Sequence, residues 1–119
     1  MLGCVSIPRS VTENLAEEVG WHIGDGSMNF YRNGSRFRGL YQLRGHIRDD
    51  KEHYIWRIKP FFKGLYNIDV SLREMPSTGV FGFQIWDDCL VNFKKDLGLV
   101  LGKKFAISVP DVFLSVLIE

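Results

Sequence analysis

At 119 residues the chain has the length of one domain, and a chain of that size buries roughly two thirds of its unfolded surface. Its 45% hydrophobic and 24% charged content is ordinary for a globular protein. No apolar run is long enough for a transmembrane span, and Met1 to Pro8 lacks the basic region and apolar core of a signal peptide, so a cytoplasmic location is expected. Cys4 and Cys89 show no metal-ligand spacing and are expected as free thiols. Fifteen Lys and Arg against fourteen Asp and Glu leave a net charge of only +1. The distribution says more than the total: between Ser27 and Arg48 stand Arg32, Arg36, Arg38, Arg44 and Arg48, with no Asp or Glu. Clustered positive charge on one element is the electrostatic footprint of a phosphate-binding face.

Ser10 and Glu13 form a Ser-x-x-Glu capping box, and Leu15, Val19 and Ile23 share one helical face, which predicts a first helix from about Val11 to Gly24. Met28 to Arg32 reads as a strand, followed by the hairpin signal Asn33-Gly34. Arg36 to Ile47 alternates with period two. Phe37, Tyr41, Leu43 and Ile47 are expected to face a core, and Arg36, Arg38, Gln42, Arg44 and His46 the opposite side. Gly39 and Gly45 fall on the core side and would admit helices closely. Asp49 or Asp50 can cap a second helix to about Tyr66, with a kink or break at Pro60, which lacks a hydrogen-bonding N–H.

Ile68 to Glu74 alternates again, Pro76 to Gly79 is a turn, and Val80 to Trp86 is a fourth strand. A third helix is expected from Asp88 to Leu97, closed by Gly98. Leu99 to Ser108 reads as mostly loop. Pro110 suits the first turn of a short final helix. The predicted class is α+β: a single domain spanning 1–119, with four strands in two hairpins, helices on one face and a basic saddle on the other.

Within the first helix, Ala16, Gly20 and Gly24 stand four residues apart. Each glycine inside a helix costs roughly 1 kcal/mol relative to alanine. A stripe of small residues lets a second helix approach almost to backbone contact. Pairing two such helices would bring two copies of Asp25 together, and paired carboxylates bind divalent cations through oxygen.

Glu18-Val19-Gly20-Trp21-His22-Ile23-Gly24-Asp25-Gly26 resembles the motif of the LAGLIDADG homing endonucleases, through Gly20, Gly24, Asp25 and Gly26. Glu18-Val19 stands where the family has Leu-Ala, a departure assigned to the less constrained helix face. Gly45 to Asp50, Leu97-Gly98-Leu99, Gly102-Lys103-Lys104 and Val109-Pro110 also resemble archaeal-type members in order and spacing, so the likeness spans about residues 10 to 118.

The resemblance implies an αββαββα endonuclease half with a saddle-shaped sheet. Its partner would be a second copy joined through Ala16, Gly20 and Gly24. Asp25, helped by the Gly24 carbonyl, would hold Mg²⁺ for phosphodiester hydrolysis. Lys104 or Lys103 would stand near the reacting phosphate. Asp49 would position water or metal, in competition with capping the second helix. The target would be a long pseudo-palindromic DNA duplex, contacted by Asn29, Tyr31, Asn33, Arg36, Arg38, Gln42, Arg44, His46 and Arg73; Gln84 is a weaker candidate. A non-cleaving DNA-binding regulator or an RNA maturase on the same fold is the alternative. His22, Trp21 and His53 are read as structural, since no His-x-x-x-His or Cys-x-x-Cys pattern supports zinc.

Overall fold

The computed structural model describes residues 6–75 and 77–102, with Asn33 described in its backbone alone. Helix α1 (Glu13–Asp25) is followed by β1 (Gly26–Asn33) and β2 (Arg36–His46). A helical run then passes through α2 (Lys51–His53), a π-helical turn (Tyr54–Ile58) and α3 (Lys59–Tyr66). Strands β3 (Arg73–Met75) and β4 (Val80–Trp86) and helix α4 (Asp88–Asp96) complete the described order. The class is α+β, with one antiparallel sheet in the order β1-β2-β4-β3.

Helix α1 is capped by Thr12, whose hydroxyl accepts from the Leu15 N–H at 3.2 Å. The expected Ser10 cap is thus displaced by two residues, because Thr12 is the residue with extended backbone directly before the helical turn. Asp87 caps α4 in the same way, accepting from Leu90 N–H.

Pro60 does not break the second helical run. Lys59 N–H donates to the Tyr54 carbonyl five residues back, so the π-register has already shifted the ladder where the proline reaches it. Backbone angles at Tyr54, Ile58 and Lys59 all stay right-handed helical.

The core lies between the helices and one face of the sheet. Tyr41 and Leu43 of β2, Phe81 and Phe83 of β4 and Met28 of β1 point into it. From the helices come Leu15, Val19, Tyr54, Ile58, Phe62, Tyr66, Leu90 and Val91. A Cβ at Gly39 would stand 2.8 Å from Val91, and one at Gly45 2.7 Å from the Tyr54 ring. Both glycines therefore admit a helix where any side chain would push it off the sheet.

Four expectations are corrected. Phe37 is 59% exposed, because it lies toward the hairpin tip, and the Arg32 guanidinium stacks over its ring at 5.4 Å. The third strand shrinks to Arg73–Met75; Ile68, Val70 and Leu72 still pack on the core without ladder pairing. Cys89 is disulfide-bonded, against the free thiol expected; Cys4 lies outside the described residues. So do the final helix expected at Pro110 and the loop beyond Gly102.

The fourth correction concerns Glu18, assigned from the resemblance to a weakly constrained face. It is 0% exposed and sits at the centre of the core. Lys94 Nζ, equally buried, donates to both carboxylate oxygens, while Tyr41 donates at 3.0 Å and Tyr66 at 2.6 Å. The cluster ties α1 to α4, β2 and α3 at one point. Burial pulls the Lys94 ammonium below its usual pKa, and the Glu18 carboxylate opposes that shift.

Removing one partner of a buried pair leaves an uncompensated charge, whereas replacing both by apolar groups is often neutral. Lys94→Met alone should therefore lose about 3–5 kcal/mol. The double change Glu18→Leu, Lys94→Met should recover most of that in urea unfolding. Equal stability of single variant and wild type would show that the ammonium is dispensable.

Burial raises the phenol pKa values of Tyr41, Tyr54 and Tyr66, with the Glu18 carboxylate adding to the shift at Tyr41 and Tyr66 and Asp25 and Asp50 at Tyr54. Each folded value lies above 10.0, the ordinary value of a phenol, so above that pH the unfolded chain releases protons that the folded state retains. Stability is full below about pH 10 and falls above it by about 1.4 kcal/mol per pH unit for each phenol. Lys94 works in the opposite sense as pH approaches 10.5 and adds no slope beyond it. Denaturant unfolding followed from about pH 9 to 12 should show this steep loss, with the three phenols ionising only on unfolding. A flat profile would mean that they are hydrated in the native state.

Candidate nucleic-acid interface

Because β-strand side chains alternate, the register that buries Tyr41 and Leu43 sends the even-numbered residues of β2 and β4 to the other face. Among the described residues no helix covers that face. Its cross-strand rows follow from the pairing. Tyr31 stands opposite Arg38; Asn29, Leu40 and Trp86 form the next row; Ser27, Gln42 and Gln84 the third. Arg44, Gly82 and Arg73 form the fourth, and His46 lies opposite Val80 beyond it.

The face is polar and positive. Among the described residues no ion pair neutralises Arg38, Arg44 or Arg73. Gln42 donates its side-chain amide to Gln84 Oε1 at 3.3 Å, linking the third row across two strands. In the fourth row two arginines flank a glycine, and a cavity of about 270 Å³ opens among Arg44, Arg73, Gly82 and Gln84. A Cβ at Gly82 would fall 2.1 Å from the Leu43 carbonyl oxygen, so the notch floor must be glycine.

The other predicted contacts divide. Asn29 and Tyr31 share the open face; Asn33 pairs in register with Arg36 at the hairpin end. Arg36 lies 3.7 Å from Asp88, so part of its charge is directed to the start of α4. His46 Nδ1 accepts from the N–H groups of Arg48 at 3.2 Å and Asp49 at 3.4 Å. Asp49 also approaches that nitrogen at 3.7 Å. The two N–H contacts are the better fit, since a nitrogen accepting them offers no proton to a carboxylate.

Neither aspartate caps the second helical run by its side chain. Asp50 occupies the cap position, but its Oδ2 turns back to accept from the His46 N–H at 2.7 Å. Asp49 is 82% exposed at the side chain.

On α1 the small-residue stripe splits. Ala16 is 2% exposed and packs into the protomer's own core, whereas Gly20, Gly24 and Asp25 are exposed. A Cβ on either glycine would meet nothing within 4 Å. Beside the stripe, Glu17 and Arg57 form a two-point ion pair at 2.8 and 2.9 Å, and Trp21 packs on His53 and Phe61. That hydrogen bond holds the Glu17 carboxyl below its usual pKa.

Asp25 ends α1, where the helix dipole is negative and a cation is favoured. Beneath it the Tyr54 hydroxyl is buried, with no hydrogen-bond partner among the described residues. The carboxylate of Asp25 and the Gly24 carbonyl are hard oxygen donors of the kind Mg²⁺ takes. Within one protomer, however, no three His, Cys, Asp or Glu residues among those described come together as a metal site. The donor chemistry suits a hard divalent cation, but one carboxylate and one carbonyl are fewer ligands than such an ion takes. Lys103 and Lys104 lie outside the described residues.

The chain matches no protein-family model and no curated protein. No helix among the described residues is long and apolar enough to cross a membrane.

Trp86 and Gly82 are residues of the open face that the sequence pattern did not single out. The signal lay in β4, where Gly82, Gln84 and Trp86 alternate with Phe81, Phe83 and Ile85. Directly paired residues share a face, so the register with β2 fixes which β4 residues lie on the open side.

If this face binds nucleic acid through phosphates, removing Arg38 and Arg44 should weaken binding across sequences. Each lost phosphate contact should lower the salt slope by about one unit. Titrations of the double glutamine variant at several salt concentrations read both quantities; unchanged affinity and slope would place the binding face elsewhere.

Proposed function

We propose that the chain is one half of a homodimeric, divalent-metal-dependent DNA endonuclease of the LAGLIDADG type, acting on a pseudo-palindromic duplex. The observation that carries this reading is the pairing of two exposed features. One is a glycine stripe on α1 ending in the Asp25 carboxylate; the other is an open, arginine-lined antiparallel sheet. The coarse fold is compatible with the αββαββα half that the resemblance implies, with a saddle for the major groove.

In this reading Gly20 and Gly24 form the seam with a second copy, and Ala16 serves the protomer's core beneath it. Asp25 and the Gly24 carbonyl from each copy would hold Mg²⁺, which supplies an activated water and charge neutralisation at the scissile phosphate. The protein's own share is placement. Arg38, Gln42, Arg44 and Arg73 would fix the duplex by phosphate and base-edge contacts. Lys104 or Lys103 would face the reacting phosphate, and Asp49 would orient water at the exposed end of β2.

A second reading, the non-cleaving DNA-binding regulator or RNA maturase, draws support from a specific feature: Tyr31 and Trp86 are exposed on the same face at 47% and 39%. Aromatic faces serve unpaired bases better than a stacked duplex.

Selection of bound and cut sequences from a random duplex library separates the two. Wild type should cut its selected site with Mg²⁺ and not in EDTA, and sediment as a dimer. Asp25→Asn should bind that site at least as tightly, since a carboxylate near phosphate is repulsive, yet lose cutting. Tight binding by wild type without cleavage would establish the regulator reading; unimpaired cutting by Asp25→Asn would remove the metal assignment.

A further inference from the structure

The edge of the open sheet carries a second concavity whose chemistry differs from the arginine notch. A cavity of about 400 Å³ opens among Ser71, Arg73, Gln84 and Trp86. The indole of Trp86 is its aromatic wall. On the β2 side that ring is already engaged: the Arg38 guanidinium stands 5.7 Å from its centroid, and Tyr31 meets it edge-on at 6.4 Å. Gln84 uses Oε1 to accept from Gln42, which leaves its own amide hydrogens to be directed into the cavity. Arg73 brings an unneutralised guanidinium to the rim, and Ser71 a hydroxyl.

A π-face, an amide and a cation lining one cavity are the three groups that a nucleotide with an unpaired base satisfies together. The base stacks on the aromatic wall, its edge meets the amide, and its phosphate meets the guanidinium. A base inside a duplex cannot use this set. Both its faces are covered by neighbouring pairs, and only its edges reach the groove. We propose that the Trp86–Gln84–Arg73–Ser71 cavity is a binding site for an unpaired nucleobase in single-stranded nucleic acid. The proposal needs neither Asp25, nor a metal, nor a second copy, and so stands apart from the endonuclease reading.

The test is binding of labelled oligothymidylate, oligouridylate and a mixed-sequence duplex, measured by fluorescence anisotropy in EDTA. Base-on-aromatic stacking is worth about 1–3 kcal/mol per base, so Trp86→Ala should weaken single-strand binding roughly 5- to 150-fold. Duplex binding should fall much less, because a base stacked inside a duplex cannot use the face of the ring. Trp86→Phe keeps a smaller π-face and should retain most of the affinity, which also guards against a folding defect in the alanine variant. Arg73→Gln should weaken single-strand binding and lower its salt slope. Tighter binding of one oligonucleotide than the other identifies the sugar and pyrimidine preferred. Absence of single-strand binding by wild type overturns the proposal. So does wild-type affinity in Trp86→Ala, or an equal loss for single strand and duplex. Because no cleavage is read, loss of the nuclease reading leaves this outcome untouched.

Discussion

A single carboxylate fixes how α1 sits in this protein. Apolar contacts are non-directional and would allow the helix to roll about its axis with little change in buried area. The hydrogen bonds to Glu18 do not, because they come from three elements at once: Lys94 of α4, Tyr66 of α3 and Tyr41 of β2. At about 100° per residue, rolling α1 by one position would carry Glu18 out of reach of all three. It would also strand a charged ammonium in the core, a far larger loss than any gain in packing.

That orientation decides what α1 shows to the outside. Residues four apart drift by about 40° around a helix. At about 100° per residue, taking the midpoint of Leu15 and Val19 as the centre of the buried side puts Ala16 at about 80° from it, Gly20 at about 120° and Gly24 at about 160°. The stripe therefore starts inside the protomer and emerges at Gly20, which is why Ala16 is buried while both glycines are exposed. An unbroken stripe from Ala16 to Gly24 treats the helix as if its four-residue rows ran parallel to the axis. They do not.

What could be read from the sequence followed from short-range rules. The alternation from Arg36 to His46 specified both faces of β2, and Gly39 and Gly45 fell where helices approach. Val80 to Trp86 was legible to the residue. The illegible features are those set by partners distant in the chain. Glu18 lies within the apolar pattern Leu15, Val19, His22, an anomaly that announces burial, but nothing nearby names Lys94, 76 residues away, as its counter-charge. The π-turn before Pro60 is likewise a tertiary solution. Proline forbids one hydrogen bond, and either a kink or a shifted register satisfies that rule. The short β3 reflects geometry of the same kind: Val70 gives its carbonyl to Lys59 Nζ at 2.7 Å, so this stretch is held by a helix side chain.

The open face follows from the same arrangement, since a sheet packed on one side must present its alternate residues on the other. Those residues are not uniform. Toward His46 the rows hold arginine around a glycine floor; toward Tyr31 they hold aromatic rings crossed by arginine. A net charge of +1 conceals this division, because the strands of the first hairpin carry no Asp or Glu while α1 carries Glu13, Glu17, Glu18 and Asp25. Long-range attraction to a polyanion is consequently weak for the molecule and strong for this face. In the reading proposed above, a nucleic acid would be drawn in with its backbone toward Arg44 and Arg73, and Gln42 and Gln84 or the Trp86 ring would then meet its bases. On that reading arginine would select the class of ligand and the neighbouring rows would separate paired from unpaired bases, because the glutamines offer hydrogen bonds to edges whereas the indole offers a face.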